Sequence, residues 1–308
     1  MSAKSIVLSK RLAAIAAFVT SGHRVCDIGC DHSAVVISLL RAGISPAAIV
    51  IDIHPGPLAI ARQRIAEHDL TDQVDVRLGD GLCVYDTDEA ETVIITGMGG
   101  RLIWSILAAD FTKTKAIKEL ILGPQAEVAE LRRCLRWYGF TIIDEVMVEE
   151  NGKYYPLLKL SPYRESSNSD ISEGDDPHLY KWEAELYIDS DRCFDTDDSE
   201  DIDALTLADR YGAVLIEKRE RVWLQYLRYE LAQTKDIIAK ILSNECYLSD
   251  ETKSNDSSSE ITAVINSNSG RYYLADEKQK KVATLEAKVK EIQRLLAEPQ
   301  TMKGEVKS

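Results

Sequence analysis

The feature that most constrains the fold is an alternation, between Val25 and about Leu160, of short β-rich runs with segments of helical periodicity. Such alternation is typical of a parallel sheet whose strands are joined by crossover helices. Asn151-Gly152 predicts a tight hairpin turn, because both central residues of such a turn need positive φ. The sequence therefore predicts an α/β, doubly wound, Rossmann-like sheet that ends in an antiparallel hairpin. The predicted strands are Val25–Asp27, Ala48–Ile53, Val74–Leu78, Thr92–Thr96, Glu119–Leu122, Thr141–Glu149 and Tyr154–Leu160.

The segment before the first strand carries apolar residues at helical spacing, which are Leu8, Leu12, Ile15, Ala16 and Val19. This spacing predicts an amphipathic first helix. A short signal peptide is the alternative, but no A-x-A cleavage pattern follows the apolar run. The helix and the sheet together predict a first domain over residues 1–163.

The rest of the chain has a different character. Residues 164–204 are predicted to be an acidic insertion, partly disordered. Residues 205–298 are predicted to form an antiparallel helical coiled-coil domain with a polar linker at 243–275, followed by a tail at 299–308. Its two apolar stripes are Leu224, Leu227, Leu231, Thr234, Ile238 and Ile241, and Val282, Leu285, Val289, Ile292 and Leu296. A single-chain helical pair in a monomer is expected, and a dimerising coiled coil is the alternative.

Composition excludes several classes of protein. No apolar run is long enough for a transmembrane helix. The six cysteines lack the spacing of a zinc site or a disulfide framework, which predicts free thiols in the cytoplasm and no metal. The net charge of −14 is concentrated in residues 161–210, which carry 4 basic and 16 acidic side chains. The acidity is therefore local and does not exclude a nucleic-acid partner.

The first predicted strand runs into Asp27-Ile28-Gly29-Cys30-Asp31-His32-Ser33 and then an apolar helix. A turn of this kind brings backbone N–H groups close to a ligand. Dinucleotide sites need three glycines here, whereas this chain has only Gly29 and places Asp31 where the second would stand. A carboxylate repels a pyrophosphate but attracts a sulfonium or ammonium group. The pattern favours S-adenosylmethionine over NAD.

Three further strand ends carry candidate ligand contacts. Asp52 follows Gly29 by 23 residues, close to the spacing of about 20 at which an acidic residue accepts hydrogen bonds from ribose hydroxyls. Gly79-Asp80-Gly81 follows the third strand and is expected beside an adenine ring, although a simple turn is the alternative. Thr96-Gly97-Met98-Gly99-Gly100 ends the fourth strand, where clustered glycines permit a close backbone approach to a ligand. The predicted cofactor contacts are Asp27, Gly29, Cys30, Asp52, Ile53, Asp80, Gly81 and Gly97.

These strings resemble the bacterial tRNA (adenine-22-N1)-methyltransferase family. The resemblance rests on Leu8-Ser9-Lys10-Arg11-Leu12, Asp27-Ile28-Gly29-Cys30-Asp31-His32, Gly79-Asp80-Gly81-Leu82, Gly97-Met98-Gly99-Gly100, Ile143-Asp144-Glu145 and Glu150-Asn151-Gly152-Lys153-Tyr154-Tyr155. It covers about residues 5–160 and resumes more loosely from Tyr211. It implies a class I methyltransferase fold with a C-terminal coiled coil, S-adenosylmethionine as cofactor and tRNA as substrate.

The chain departs from the family pattern near the expected base site. Ala34 and Val36 stand where the family has Tyr and Pro. Gly123-Pro124-Gln125 replaces a Q-P-N string, and Pro156 replaces a Glu.

The resemblance implies methyl transfer to N1 of an adenine in the D-arm of tRNA, after the base leaves its stack. The candidate catalytic residues are Asp31, His32, Gly97 and Met98. Asp31 is expected to stabilise the positive charge that moves onto the purine, and His32 to orient Asp31 or contact the base, with local packing as its alternative role. The candidate RNA contacts are Lys10, Arg11, Lys218, Arg219, Arg221 and Arg228.

Three alternatives remain open at this stage. A methyltransferase of the same fold could act on another acceptor. A non-catalytic adaptor could bind S-adenosylmethionine and hold a partner through its helical arm. A nicotinamide oxidoreductase is disfavoured by Asp31 and by the missing glycines.

Overall fold

The computed structural model describes residues 6–29, 33–161, 194, 205–250 and 268–297, with side chains left out for 244–250 and 268–277. Two compact units divide the chain, Met1–Glu220 and Arg221–Ser308. The predicted acidic insertion, apart from Phe194, and the predicted tail lie outside the described residues. None of the described helices is long and apolar enough to span a membrane.

The first unit is built on a seven-stranded sheet in the order β3-β2-β1-β4-β5-β7-β6. The first five strands are parallel, and β7 runs antiparallel to both β5 and β6. This topology confirms the predicted doubly wound sheet with a terminal hairpin. The strands are β1 Val25–Ile28, β2 Ala48–Asp52, β3 Val74–Leu78, β4 Thr92–Thr96, β5 Glu119–Gly123, β6 Ile142–Glu150 and β7 Lys153–Leu160.

The helices of this unit alternate with the strands. Ser9 caps the first helix, its hydroxyl accepting from the Leu12 N–H, and Ile15 on the same helix is fully buried, as its spacing predicts. The helices are α1 Lys10–Phe18, α2 Ala34–Arg41, α3 Pro55–Glu67, α4 Gly100–Ala109, α5 Phe111–Ala116, α6 Val128–Trp137, α7 Leu207–Tyr211 and α8 Ala213–Lys218, with short 3₁₀ turns at Thr71–Gln73 and Gly81–Val84.

Successive residues of a strand are buried on opposite faces of the sheet. Cys26 and Ile28 of β1 join a core with residues of α4 and α6, whereas Val25 packs with residues of α1 and α2. This two-faced burial explains why β1 is apolar at nearly every position. Phe194 belongs to the first core, and its ring lies 4.9 Å from the Arg101 guanidinium carbon.

The hairpin between β6 and β7 turns at Asn151-Gly152, with φ of 53° and 74°. Positive φ at both positions is what a tight hairpin turn requires, so the sequence prediction is confirmed. The paired strands continue past the end of β5, whose Leu122 lies opposite Leu158 of β7.

Charged side chains attach α7 and α8 to the sheet. The Arg132 guanidinium of α6 donates to Glu145 of β6 at 2.8 Å and to the Asp209 carbonyl at 3.0 Å. Arg136 pairs with the Asp209 carboxylate at 2.8 Å, and Lys218 pairs with Asp144. Residues 205–220 thus cluster with the first unit, whereas the sequence assigned them to the helical domain.

The second unit contains two long helices, α9 Arg221–Asp250 and α10 Asn268–Ala297, which contact each other. Lys288 of α10 pairs with Glu230 of α9 at 2.7 Å, and each residue lies 20 positions from the helix end nearer the connecting segment. This contact joins the middle parts of the two helices. Every position of the two apolar stripes is buried or half-buried. The helices also extend into the predicted linker from both ends, since Ser and Asn cost a growing helix only a few tenths of a kcal/mol each.

A buried polar network lies at the amino-terminal edge of the sheet around Glu119. Its carboxylate accepts from the Thr20 N–H at 3.0 Å, the Thr92 hydroxyl at 2.8 Å and the Lys159 ammonium at 2.8 Å. Burial alone would raise the pKa of Glu119, but the Lys159 ammonium and the Thr20 and Thr92 donors outweigh it and hold that pKa below its usual value.

We expect Glu119→Gln to lower the free energy of unfolding near pH 7 by about 2–4 kcal/mol, because it leaves the Lys159 ammonium without its charge partner. Since the folded pKa is depressed, the contribution of the carboxylate is present above the unfolded pKa and is lost as the pH falls through the folded value. Urea unfolding at neutral and acidic pH should therefore show the gap to wild type narrowing on acidification. Glu67→Gln, on the exposed face of α3, is the control and should change stability by less than about 0.5 kcal/mol. If wild type and Glu119→Gln differ in free energy of unfolding by the same amount at both pH values, the role assigned to the Glu119 carboxylate is contradicted.

Candidate active site at the carboxyl edge of the sheet

The strand order reverses between β1 and β4, since β2 and β3 lie on one side of this point and β5 on the other. In open α/β sheets, ligands bind outside the carboxyl ends of the strands at such a switch point. Gly29 follows β1, and Gly97 follows β4. The two glycine turns predicted from the sequence therefore flank the same crevice.

Gly29 adopts a φ of 72°, which favours glycine, and its N–H donates to the Ile51 carbonyl at 2.8 Å. A Cβ at this position would lie 2.0 Å from Cε of Met98. The thioether of Met98 thus covers the Gly29 backbone and brings the loops after β1 and β4 into contact. Asp27 is buried within β1. The predicted Cys30, Asp31 and His32 lie outside the described residues.

Asp52 ends β2 with a buried carboxylate. Its Oδ1 accepts from the His54 N–H at 2.8 Å, which turns the chain into α3. No described residue donates to the second oxygen, Oδ2. Beside it, the side chains of Ile53 and Leu78 are 55% and 57% exposed. This end of the sheet therefore combines a carboxylate acceptor with an exposed apolar surface.

The loop after β3 is joined to β2, because the Gly79 N–H donates to the Asp52 carbonyl at 3.0 Å. Close packing explains why two positions of this loop are glycine. A Cβ at Gly79 would meet Cγ1 of Val84 at 2.4 Å, and one at Gly81, where φ is 51°, would meet Cγ2 of Ile106 at 2.8 Å. The Asp80 side chain is exposed at the same edge. Only Asp80 of this string offers a polar side chain to a ligand.

Three backbone hydrogen bonds join the loop after β4 to the loop after β5. Gly97 donates to Gly123 at 3.1 Å, Gln125 donates to Met98 at 2.8 Å, and Gly100 donates to the Ala126 carbonyl at 2.8 Å. Gly97 itself has a φ of 83° and is exposed. The structure thus brings the loops after all five parallel strands into one row along the edge.

The same two loops are also linked through Glu127, a residue that the sequence did not single out. Its Oε2 accepts from the Arg101 N–H at 3.1 Å at the start of α4, and its Oε1 lies 3.7 Å from the Arg101 guanidinium. Glu127 adopts a φ of 52° as the residue before α6. A carboxylate at a helix amino terminus satisfies free N–H groups and complements the helix dipole. No local sequence signal reveals this pairing, because it joins two separate helices.

The structure shows the surroundings of three departures from the family pattern. A Cβ at Gly123 would lie 2.9 Å from Cγ2 of Thr96 and 3.1 Å from Cδ2 of Leu157, so this position has no room for a side chain. Val36 is fully buried in the core of α2 and α3. Pro156 lies on β7 opposite Met147, beyond the register of the β5 pairing, where its missing N–H interrupts no bond to β5.

The predicted RNA contacts fall into two groups. Four lie in the first unit, where each side chain already has a role. Lys10 pairs with Glu149 at 3.4 Å, the Arg11 guanidinium lies 5.0 Å from the Tyr155 ring centroid, Lys218 pairs with Asp144, and Arg219 is only 8% exposed. Arg221 and Arg228 lie on α9 in the second unit, and both are exposed.

Among the described residues, no group of three or more His, Cys, Asp or Glu side chains is arranged to hold a metal ion.

Comparisons with known proteins agree with this architecture. The family model of a methyltransferase domain matches residues 8–158. The tRNA (adenine(22)-N(1))-methyltransferase of Bacillus subtilis is 36% identical over 151 residues, which are 49% of this chain and 63% of that protein. The matched region thus spans less than two thirds of that relative.

Two solved structures share the fold. A protein of the NADB-Rossmann superfamily from Streptococcus agalactiae is 25% identical, with a TM-score of 0.67 over 96% of this chain and 100% of its own. TrmK of M. capricolum, in complex with S-adenosyl-homocysteine, is 21% identical, with a TM-score of 0.59 over 92% of this chain and 99% of its own.

We expect Gly100→Ala to destabilise the protein by about 2–3 kcal/mol, because the new Cβ would lie 2.4 Å from the Glu127 carbonyl oxygen and 3.0 Å from that of Ala126. These are backbone atoms, so the two loops must separate to make room. Thermal and urea unfolding measure the loss.

Gly56→Ala is the matched control, since Gly56 also lies in the first turn of a helix but has no atom within 4 Å of its would-be Cβ. This substitution should be neutral or stabilise by up to about 1 kcal/mol. Equal effects of the two substitutions would show that the contact between the loops is not tight.

Proposed function

We propose that this chain, whose residues 8–158 match the model of a methyltransferase domain, transfers a methyl group from S-adenosylmethionine to N1 of an adenine in tRNA. By its resemblance to the Bacillus subtilis relative, the target is adenine 22 in the D-arm. The observation that carries the proposal is the row of loops at the carboxyl edge, with Gly29, Asp52 and Gly97 around one switch point.

The residues of this edge fit the proposed cofactor. The Oδ2 of Asp52 has no donor among the described residues, and a carboxylate at the end of the second strand suits ribose hydroxyls. Ile53 and Leu78 expose apolar surface beside it for a purine ring, and Asp80 can accept a hydrogen bond from an exocyclic amine. Gly97 leaves backbone exposed on the β4 side of the switch point, and Gly29 lies on the β1 side beneath Met98.

When bound, the cofactor supplies an electrophilic methyl group on a sulfonium. Adenine N1 carries an in-plane lone pair at neutral pH, so the protein needs no strong base and acts mainly by alignment. We assign this positioning to the Gly97–Met98 turn, whose backbone is fixed by the loop after β5. We assign stabilisation of the charge that develops on the purine to Asp31, with His32 beside it, on the sequence alone.

For the RNA we assign the exposed Arg221 and Arg228 of the second unit as phosphate contacts, with Lys10, whose side chain stays 72% exposed beside Glu149, as a further candidate. Lys218 and Arg219 are poorer candidates than their sequence suggests, because one is ion-paired and the other is buried. We propose that the protein acts in the cytoplasm as a monomer.

Incubation with labelled S-adenosylmethionine and unmodified tRNA should yield 1-methyladenosine on nucleoside analysis. Asp52→Asn should weaken cofactor binding about 10-fold or more, because the amide keeps the acceptor for His54 but replaces the second acceptor with a donor. Calorimetry measures the affinity. Asp72→Asn, exposed at the opposite edge of the sheet, is the control and should bind as wild type does.

Tight cofactor binding without methylation of any RNA would refute the catalytic assignment and favour the adaptor. Methyl transfer to a different acceptor would refute the tRNA assignment alone.

Arg221→Glu combined with Arg228→Glu should weaken tRNA binding and lower the slope of log K against log salt by about 1 for each phosphate that is no longer neutralised. Titration of tRNA at several salt concentrations measures both quantities. Lys235→Glu changes an exposed charge on the same helix and controls for bulk electrostatics. Unchanged affinity at low salt in the Arg221 and Arg228 variant would remove these residues from the RNA interface.

A further inference from the structure

Gln125 is an exposed residue of the loop after β5 whose side chain lies against the Gly97 turn. A Cβ at Gly97 would have one neighbour within 4 Å, the Nε2 of Gln125 at 3.9 Å. The absence of a side chain at Gly97 therefore leaves an open space that the Gln125 carboxamide borders. This space lies at the carboxyl end of β4, next to the switch point.

The main chain of Gln125 is fixed in place. Its N–H donates to the Met98 carbonyl at 2.8 Å, and the adjacent residues are held by the Gly97–Gly123 and Gly100–Ala126 bonds. The carboxamide therefore extends from a rigid base, although the side chain itself is in solvent. Only the side-chain torsions of Gln125, and not its backbone, therefore lose freedom when the carboxamide meets a ligand.

The Gln125 carboxamide forms no hydrogen bond with any of the described residues, so its donor and its acceptor are both available. Within residues 29, 53–54, 79–81, 97–99 and 124–127, the parts of the five loops that the structure describes, it is the only carboxamide. The exposed carboxylates there, Asp80 and Glu127, can only accept when ionised.

We propose that Gln125 is the residue that recognises the target base, with Oε1 accepting from the exocyclic N6 amine of adenine and Nε2 donating to N7. This inference rests on the function proposed above. Paired carboxamide contacts to N6 and N7 are the usual way that Gln or Asn reads adenine. Contacts to the N6 and N7 atoms of adenine hold the base while the N1 lone pair stays free for methyl transfer.

The same contacts explain selection against guanine. Guanine carries a second acceptor, O6, where adenine carries the amine, so one of the two contacts would set the carboxamide oxygen against a base oxygen. Gln125 is thus a specificity-determining residue, whereas Met98 and Gly97 position the base by their backbone.

The experiment compares wild type, Gln125→Ala and Gln125→Glu on tRNA with adenosine or 7-deazaadenosine at the modified position. The deaza base keeps N1 and N6 but lacks the N7 acceptor. Wild type should lose roughly 10-fold in kcat/KM on the deaza substrate relative to adenosine. Gln125→Ala should lose roughly 10-fold on adenosine and no longer respond to the absence of N7. Gln125→Glu, which can accept from N6 but sets a carboxylate oxygen against the N7 lone pair, should lose activity on adenosine and show no loss on the deaza base relative to adenosine.

Gln63→Ala, an exposed glutamine on α3, is the matched control and should behave as wild type does. Both variants at position 125 retain the backbone N–H, so unfolding temperature and cofactor affinity should be unchanged. If wild type methylates tRNA and Gln125→Ala still discriminates against the deaza base as wild type does, the assignment is overturned while the proposed function stands. If wild type methylates no tRNA, the proposed function itself fails.

Discussion

The contacts between the loops after β4 and β5 determine the shape of the candidate active site. They consist of peptide groups, since Gly97, Gly100 and Gln125 donate to carbonyls of the facing loop. Each such bond contributes only about 1 kcal/mol net, but leaving its partners unsatisfied in a closely packed edge costs more. The arrangement also requires small residues, because a Cβ at Gly100 would collide with the facing backbone. The position of Met98 over Gly29, and that of the Gln125 carboxamide beside Gly97, both follow from this connection.

A second set of contacts, far along the chain, secures α7 and α8. Arg132 and Glu145 are almost fully buried, and the Arg132 guanidinium also donates to the Asp209 carbonyl. Removing one partner of such a pair leaves an uncompensated buried charge, which costs several kcal/mol. Asp144 and Glu145, which are part of the family resemblance, thus contact the residues that hold α7 and α8 against the sheet. Basic residues of these helices, such as Lys218, are used in the same way.

The sequence predicted the sheet well because burial on two faces leaves a strong apolar pattern in strands such as β1. It also predicted the hairpin, since Asn151-Gly152 is a local signal with a single geometric explanation. The sequence did not predict the pairing of Glu127 with Arg101 or the Met98 contact with Gly29, because these join residues that only the folded chain brings together. For the same reason, the division between the two units lies after Glu220 and not at residue 205, where the sequence placed it. The attachment of α7 depends on Arg132 and Arg136, and that of α8 on the Lys218–Asp144 pair, which are contacts between distant parts of the chain.

The packing around Gly123 bears on how this chain can change during evolution. Thr96 and Leu157 occupy the volume that the family's glutamine would need. Restoring that glutamine alone would require the Thr96 and Leu157 side chains to move, and shrinking Thr96 or Leu157 alone would leave a void. The three positions are therefore epistatic: substitutions here should be tolerated in combination and rejected singly. A change to the family's glutamine at position 123 should therefore be accompanied by a smaller residue at position 96 or 157.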